Sequence, residues 1–325
     1  MSSELMVLGG TANPTLTAAI CRCLEIEQGK MKVQRFADGE IYPQIIDNVR
    51  GFDVFVVQPT CVPVNDNLME LMLIVDALRR ASAKRITAVL PYYGYSRQDR
   101  KDKPRVPISA KVVATMLEAA RVKRILSMDL HSNPIGGFFD IPVDNLYALP
   151  VMIEYFRNLA LPKLTIVSPD VGGVERARLM AGKLNAPLAI IDKRRIEANV
   201  AEIMNVVGDV KDRDCLMVDD LIDTAGTLCK GAAALMDHGA ASVRACATHG
   251  LFSAKDGSSA ESKLEDSPLI EVIVTDTIPP AIVRIVQPDR IMPKSTKIHY
   301  LSVAPLFAQA IRSVHDQTSV SKLFI

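Results

Sequence analysis

Along the chain, short continuous apolar runs alternate with longer segments in which apolar residues recur every third or fourth position. The first pattern marks buried strands and the second marks one-sided helices. Residues 5–8, 33–36, 53–58, 85–90 and 124–130 predict strands, with helices over 14–26, 68–81 and 108–120. Residues 134–140 turn the chain, and around 146–150 the pattern starts again. In the second half, 164–168, 188–191, 215–218, 242–248, 270–275 and 298–303 read as strands, and 174–184, 228–238 and 305–314 as helices. Such alternation predicts an α/β fold of two similar parallel-sheet domains, each built from about half of the chain. Two stretches interrupt it. Ala37-Asp38-Gly39 lies between strand-like residues and predicts a hairpin. Residues 253–267, rich in Ser, Gly, Lys and acid, read as a mobile loop.

Composition narrows the function classes. The 325 residues carry a net charge of +1, so no strong overall field draws the chain to nucleic acid or to an acidic membrane. No apolar run approaches the roughly 18 residues that span a bilayer, and no signal-like start is present, which predicts a cytoplasmic protein. The six cysteines are scattered without CxxC spacing and read as reduced core thiols, not as zinc ligands or disulfides.

The candidate chemistry centres on Val218-Asp219-Asp220-Leu221-Ile222-Asp223-Thr224-Ala225-Gly226-Thr227. An apolar strand ends there in acid, a short loop follows, and a helix begins, which in an open α/β sheet is where ligands bind. Gly226 lets backbone approach an anion, Thr224 and Thr227 offer hydroxyls, and the N–H groups of the helix start face the same point. Asp219 and Asp220 could accept from vicinal hydroxyls or hold a divalent cation, so the pairing suggests ribose 5-phosphate. The competing reading is an aspartate N-cap followed by a Thr/Gly turn.

Other candidates are weaker on residue type alone. The basic segment containing Arg97, Gln98 and Arg100 to Arg105 reads equally as a triphosphate-receiving loop or as a solvated one. His131, at the end of a strand, could meet a metal or phosphate, or simply pack. Asp170, followed by Gly172 and Gly173, sets a metal-reaching carboxylate beside permissive backbone. At the hairpin, Phe36 offers a ring to a base, while Asp38 and Glu40 could accept from an amine. An ordinary surface hairpin with a buried Phe is the simpler reading of these residues.

The central stretch resembles the phosphoribosyl pyrophosphate motif shared by type I phosphoribosyltransferases and ribose-phosphate diphosphokinases. Five further motifs choose between them: Phe36-Ala37-Asp38-Gly39-Glu40, Tyr95-Ser96-Arg97-Gln98-Asp99, Met128-Asp129-Leu130-His131, Ser168-Pro169-Asp170-Val171-Gly172-Gly173 and Lys193-Arg194-Arg195. Their order resembles the phosphate-activated class of ribose-phosphate diphosphokinases. The resemblance implies a type I phosphoribosyltransferase-like fold in two domains, 1–147 and 148–312, with a tail of about 313–325 packing on the first. It implies transfer of the β,γ-pyrophosphoryl group of ATP to ribose 5-phosphate, with Mg²⁺. Phe36, Asp38, Gly39 and Glu40, from a neighbouring subunit, and Arg97 and Gln98 then bind ATP, while His131 and Asp170 meet the metal. Asp219, Asp220, Asp223, Thr224, Ala225, Gly226 and Thr227 bind ribose 5-phosphate, with Arg195, and Lys193 and Arg195 are catalytic. The resemblance further implies a homo-oligomer, a hexamer, activated by inorganic phosphate and inhibited by ADP through Arg50, Arg105, Ser319 and Ser321. Asn48 and Pro104 stand where that class commonly has serine, and 253–267 is longer than its usual loop. The alternatives are a phosphoribosyltransferase, which leaves Arg97, Gln98 and His131 unexplained, and a non-catalytic relative, which would have lost part of this set.

Overall fold

The computed structural model describes residues 4–194, 203–254, 257–280 and 296–323, with the backbone alone at 193, 194 and 203. The chain divides into two compact units. The first holds the described residues of Met1–Tyr147, Thr277–Ile282 and Ser302–Ile325, and the second those of Ala148–Asp276 and Val283–Leu301.

In the first unit β1 (Leu5–Gly9), β4 (Asp53–Val57), β5 (Arg85–Leu90), β6 (Arg124–Met128) and β7 (Val143–Leu146) form a parallel sheet in that order. Helices α1 (Pro14–Leu24), α2 (Val64–Arg80) and α3 (Ser109–Ala119) connect its strands. Val54, Val56, Leu71, Ile74, Leu78 and Leu90 are fully buried in its core, as the continuous apolar runs require of strands covered on both faces. α2 begins a turn earlier than its apolar spacing predicts. Asn67 is the reason: it is buried, and its Nδ2 donates to Cys61 O at 2.8 Å, so a polar residue opens the helix. The hairpin exists as β2 (Met31–Arg35) and β3 (Ile41–Ile45), an antiparallel pair that forms its own two-stranded sheet and packs on α2.

The second unit repeats the order of elements. β8 (Leu164–Ser168), α5 (Val174–Leu184), β9 (Leu188–Arg194), β10 (Ile203–Val207), β11 (Asp214–Ile222), α6 (Gly226–Asp237), β12 (Ser242–Gly250), α7 (Ala260–Glu265), β13 (Leu269–Thr275) and β14 (Ile298–Leu301) follow one another. The sheet order is β10-β9-β8-β11-β12-β13-β14, parallel except for β10 against β9. Its core includes Val167, Ile191, Met217, Leu228, Leu235, Val243 and Val272.

Two helices cover the first helix of each unit. α4 (Leu149–Leu159) packs on α5, and α8 (Ala304–His315) packs on α1 through a face that buries Phe307, Ala308, Ile311 and Val314. Polar contacts fix α8 there. Arg312 Nη2 donates to Leu24 O at 2.8 Å, Arg85 Nη2 to Val314 O at 3.1 Å, and His315 Nδ1 lies 2.9 Å from the buried Asp53 carboxylate. The chain has therefore rejoined the first unit by Ala304, ahead of the 313 read from the resemblance, because the apolar face of the whole helix is used.

Three local expectations change. Residues 253–267 contain α7, capped by Ser259 and held by Lys297, whose Nζ donates to the carbonyls of Leu264, Glu265 and Ser267. β7, α4 and β10 were not distinguished in the apolar pattern, since each is short or interrupted by polar residues. β11 continues through Asp219 and Asp220, because β12 keeps pairing with it as far as Ile222↔Gly250. No helix among the described residues is long and apolar enough to cross a membrane.

Candidate active site

In the second sheet the chain leaves β8 toward β9 on one side and leaves β11 toward β12 on the other. The carboxyl ends of β8 and β11 therefore flank a switch in topology, the place where open α/β sheets bind ligands. β8 stops pairing with β11 at Met217↔Val167, so the acids that follow on β11 lose that neighbour. Asp220 is buried, whereas the Asp219 side chain keeps 29% of its exposure. The Asp220 N–H donates to Asp219 Oδ1 at 2.9 Å. Loss of water and the adjoining Asp220 charge raise the Asp219 carboxyl well above the ordinary carboxylate range.

The loop after β8 faces this pair. Asp170 Oδ1 accepts from Gly173 N–H at 3.0 Å, and Ser168 Oγ donates to Asp170 O at 2.6 Å, a tight turn that starts α5. A Cβ on Gly173 would lie 3.0 Å from Ser168 Oγ, so glycine keeps the turn clear of the Ser168 hydroxyl that closes it. α5 then carries Arg176, whose Nη1 is 3.6 Å from Asp220 Oδ1 and 4.0 Å from Asp219 Oδ1.

On the other side, Ala225 takes a left-handed conformation (φ 59°, ψ −4°) and serves as the N-cap of α6. The N-cap is Ala225, which offers no capping side chain, so the aspartate N-cap reading does not hold, and the start of α6 presents the dipole and N–H groups that suit an anion. A Cβ on Gly226 would meet nothing within 4 Å. The protein's own packing thus makes no demand for glycine there, and the space is open to a ligand. Asp223 and Thr224 are partly buried and Thr227 is exposed along this loop.

The first unit assembles the other predicted residues. The loop after β5 packs on the loop after β4: Gly94 N–H donates to Thr60 Oγ1 at 2.7 Å, and a Cβ on Gly94 would sit 2.3 Å from Thr60 O. Exposed Arg97 and Gln98 follow, with Gln98 O accepting from Ala110 N–H at 3.2 Å and its side chain bonded to Ser109. Ser132 Oγ donates to Asp99 Oδ2 at 2.6 Å, which joins the Arg97 segment to exposed His131. On the hairpin, Phe36 is 55% exposed, so it is not the buried Phe of the simpler reading. Its ring meets Tyr42 at 5.5 Å, Asp38 Oδ1 accepts from Glu40 N–H at 3.1 Å, and Gly39 has φ +95°.

Comparison with known proteins decides the family. Residues 5–120 match the family model for the N-terminal domain of ribose phosphate pyrophosphokinase, and residues 190–325 that for the phosphoribosyl synthetase-associated domain. The ribose-phosphate pyrophosphokinase of Ralstonia nicotianae is 53% identical over 100% of this chain and 99% of its own. That of Neisseria meningitidis serogroup A is 50% identical over 99% of this chain and 95% of its own. The crystal structure of phosphoribosylpyrophosphate synthetase from Mycobacterium smegmatis aligns with a TM-score of 0.86 at 39% identity, covering 97% of this chain and 100% of that one. The chain belongs to the ribose-phosphate pyrophosphokinase family.

Arg195 lies outside the described residues, and Lys193 is placed by its backbone at the end of β9. Arg50, Arg105, Ser319 and Ser321 are all exposed, and Ser321 N–H donates to Ser319 Oγ at 3.1 Å. Arg176 was missed by the motif reading. A signal was available: a cation in the first turn of a helix opposes the macrodipole and calls for a carboxylate partner. Mg²⁺ suits the carboxylate of Asp170, one of the two residues expected to meet it, because that group is a hard oxygen ligand. Among the described residues no group of three or more His, Cys, Asp or Glu side chains is arranged to hold a metal. An ion there would complete its shell with phosphate oxygens and water, as Mg²⁺ commonly does.

Proposed function

We propose that the protein transfers the β,γ-pyrophosphoryl group of ATP to the anomeric hydroxyl of ribose 5-phosphate, giving 5-phospho-α-D-ribose 1-diphosphate and AMP. The observation that carries this reading is the partly desolvated Asp219–Asp220 pair beside a helix start whose N-cap is Ala225, with room over Gly226. Acceptors for two hydroxyls and donors for one phosphate, side by side, match the two ends of a ribose 5-phosphate.

In the reaction the anomeric oxygen bonds to the β-phosphorus, the bond from that phosphorus to the α–β bridging oxygen breaks, and the hydroxyl proton is lost. Charge builds on the transferring oxygens, and fixed cations there favour the transition state over the ground state. Lys193 and Arg195 take that role, with Arg195 also reaching the sugar phosphate. Asp219 and Asp220 hold the diol. The segment Asp223, Thr224, Ala225, Gly226 and Thr227 binds the 5-phosphate. Arg97 and Gln98 bind the ATP phosphates, and Phe36, Asp38, Gly39 and Glu40 of a neighbouring copy hold its nucleoside. Asp170 and His131 would hold Mg²⁺, which neutralises phosphate charge when bound. The protein acts as a cytoplasmic homohexamer that inorganic phosphate activates through Arg50, Arg105, Ser319 and Ser321.

The test is AMP release from ATP, measured with ribose 5-phosphate, Mg²⁺ and inorganic phosphate each present or omitted. AMP should form only when both ribose 5-phosphate and Mg²⁺ are present, and faster with phosphate. Release that ignores ribose 5-phosphate, or none in the complete mixture, overturns the reading.

A further inference from the structure

One cation serves two acids at the switch point. Arg176 Nη1 lies 3.6 Å from Asp220 Oδ1 and 4.0 Å from Asp219 Oδ1, and its side chain keeps only 25% of its exposure. Neighbouring residues on a strand normally send their side chains to opposite faces. Here both carboxylates nonetheless come within reach of a single guanidinium nitrogen.

The placement of Arg176 is set from the opposite side of the crevice. The Asp170–Gly173 hydrogen bond fixes where α5 starts, and the third residue of that helix is Arg176. A cation there gains nothing from the helix dipole, so the two acids are its electrostatic reason for being there. Asp219 Oδ1 faces inward, toward Asp220 N–H and Arg176.

We infer that Arg176 is a positioning residue for the sugar: it aligns the Asp219–Asp220 pair so that the pair accepts from the vicinal hydroxyls of ribose 5-phosphate. The inference deepens the proposed function and rests on its reading of that pair as the diol acceptor. A guanidinium holding both acids counters their mutual repulsion and keeps their acceptor oxygens in one arrangement before the sugar arrives. Arg176 therefore contributes to discrimination between sugars with and without the C2 hydroxyl.

The experiment compares Arg176→Gln and Arg176→Lys with the wild type, using ribose 5-phosphate and 2-deoxyribose 5-phosphate as alternative acceptors. Arg176→Gln should raise KM for ribose 5-phosphate about tenfold while KM for ATP moves less than about twofold. The ratio of kcat/KM between the two sugars should fall by about the same factor as KM rises, and Arg176→Lys should recover part of it. That ratio is taken within one sample, so it does not depend on how much of a variant folds. An unchanged ratio in Arg176→Gln overturns the inference, even if both sugars lose activity together. Asp219→Asn and Asp220→Asn in the same assay separate the two claims. If they leave KM for ribose 5-phosphate unaltered, the diol reading itself fails. If they raise it while Arg176→Gln does not change the ratio, only the role of Arg176 fails.

Discussion

At the carboxyl ends of β1 and β4 the first unit builds a crevice like that between β8 and β11, and fills it with its own acid. Glu70 of α2, 2% exposed, accepts from Thr11 N–H at 2.6 Å, from Thr11 Oγ1 at 2.6 Å and from Gln58 Nε2 at 3.0 Å. Gln58 in turn accepts from Ala12 N–H at 3.1 Å, and a Cβ on Gly10 would come within 2.2 Å of it. The second unit, with the same order of strands and helices, leaves its crevice to two carboxylates that share a cation at 3.6 and 4.0 Å. One crevice satisfies its donors internally and becomes packing. The other keeps two adjoining carboxylates, one of them raised well above the ordinary range, which is the kind of perturbed pair that marks ligand sites.

The strongest way to break this comparison is Asp220→Asn. It should lower kcat/KM for ribose 5-phosphate by about 10²-fold, since it removes a charged acceptor. It should leave the chemical unfolding midpoint at neutral pH unchanged or higher, because a repelling neighbour is gone. The pH dependence gives a second reading. Asp219 is raised in the folded state, so the stability tied to its protonated form is full below the unfolded carboxylate value and is lost as pH rises through the higher folded value. Asp220→Asn lowers the folded value and should flatten that decline; an unaltered decline would show that the two acids do not interact.

Glu70→Ala should do the reverse. It leaves Thr11 N–H and Thr11 Oγ1 without their acceptor, removes one of the two acceptors of Gln58 Nε2, and should cost about 2–3 kcal/mol in denaturant unfolding. KM for ribose 5-phosphate should stay within about twofold of wild type once the folded fraction is matched. A large rise in that KM would mean that the filled crevice also serves the substrate.

The smallest expected effect lies at the helix starts. α2 begins from Pro63 in extended backbone, whereas α6 begins from left-handed Ala225. Ala225→Gly removes a left-handed cost of about 1–2 kcal/mol, offset by about 0.4–1 kcal/mol of added chain entropy in the unfolded state. The protein should gain between about 0 and about 1.6 kcal/mol in thermal unfolding, and a destabilised variant would show that the buried Cβ matters more than its φ.

The alternation was legible because parallel strands covered on both faces must be continuous apolar runs, so 5–8, 85–90 and 164–168 announce themselves without neighbours. The residue types of the central motif were equally plain: adjacent acids, hydroxyls and a glycine at a strand-to-helix turn. α7 was not, since Ala260 and Leu264 give it only one apolar repeat, and its stability comes from Lys297, far along the chain.

The sequence by itself determined the order of elements in both units and the chemical groups that the crevice of the second presents, because both follow from local pattern and residue type. Tertiary structure alone decided that β11 runs on past its acids, that Arg176 serves both of them, that Glu70 closes the other crevice and that α8 returns to α1. Each of those depends on partners distant in the chain, and the strength of a charge or a hydrogen bond is set by what lies opposite it in space and by how much water has been removed.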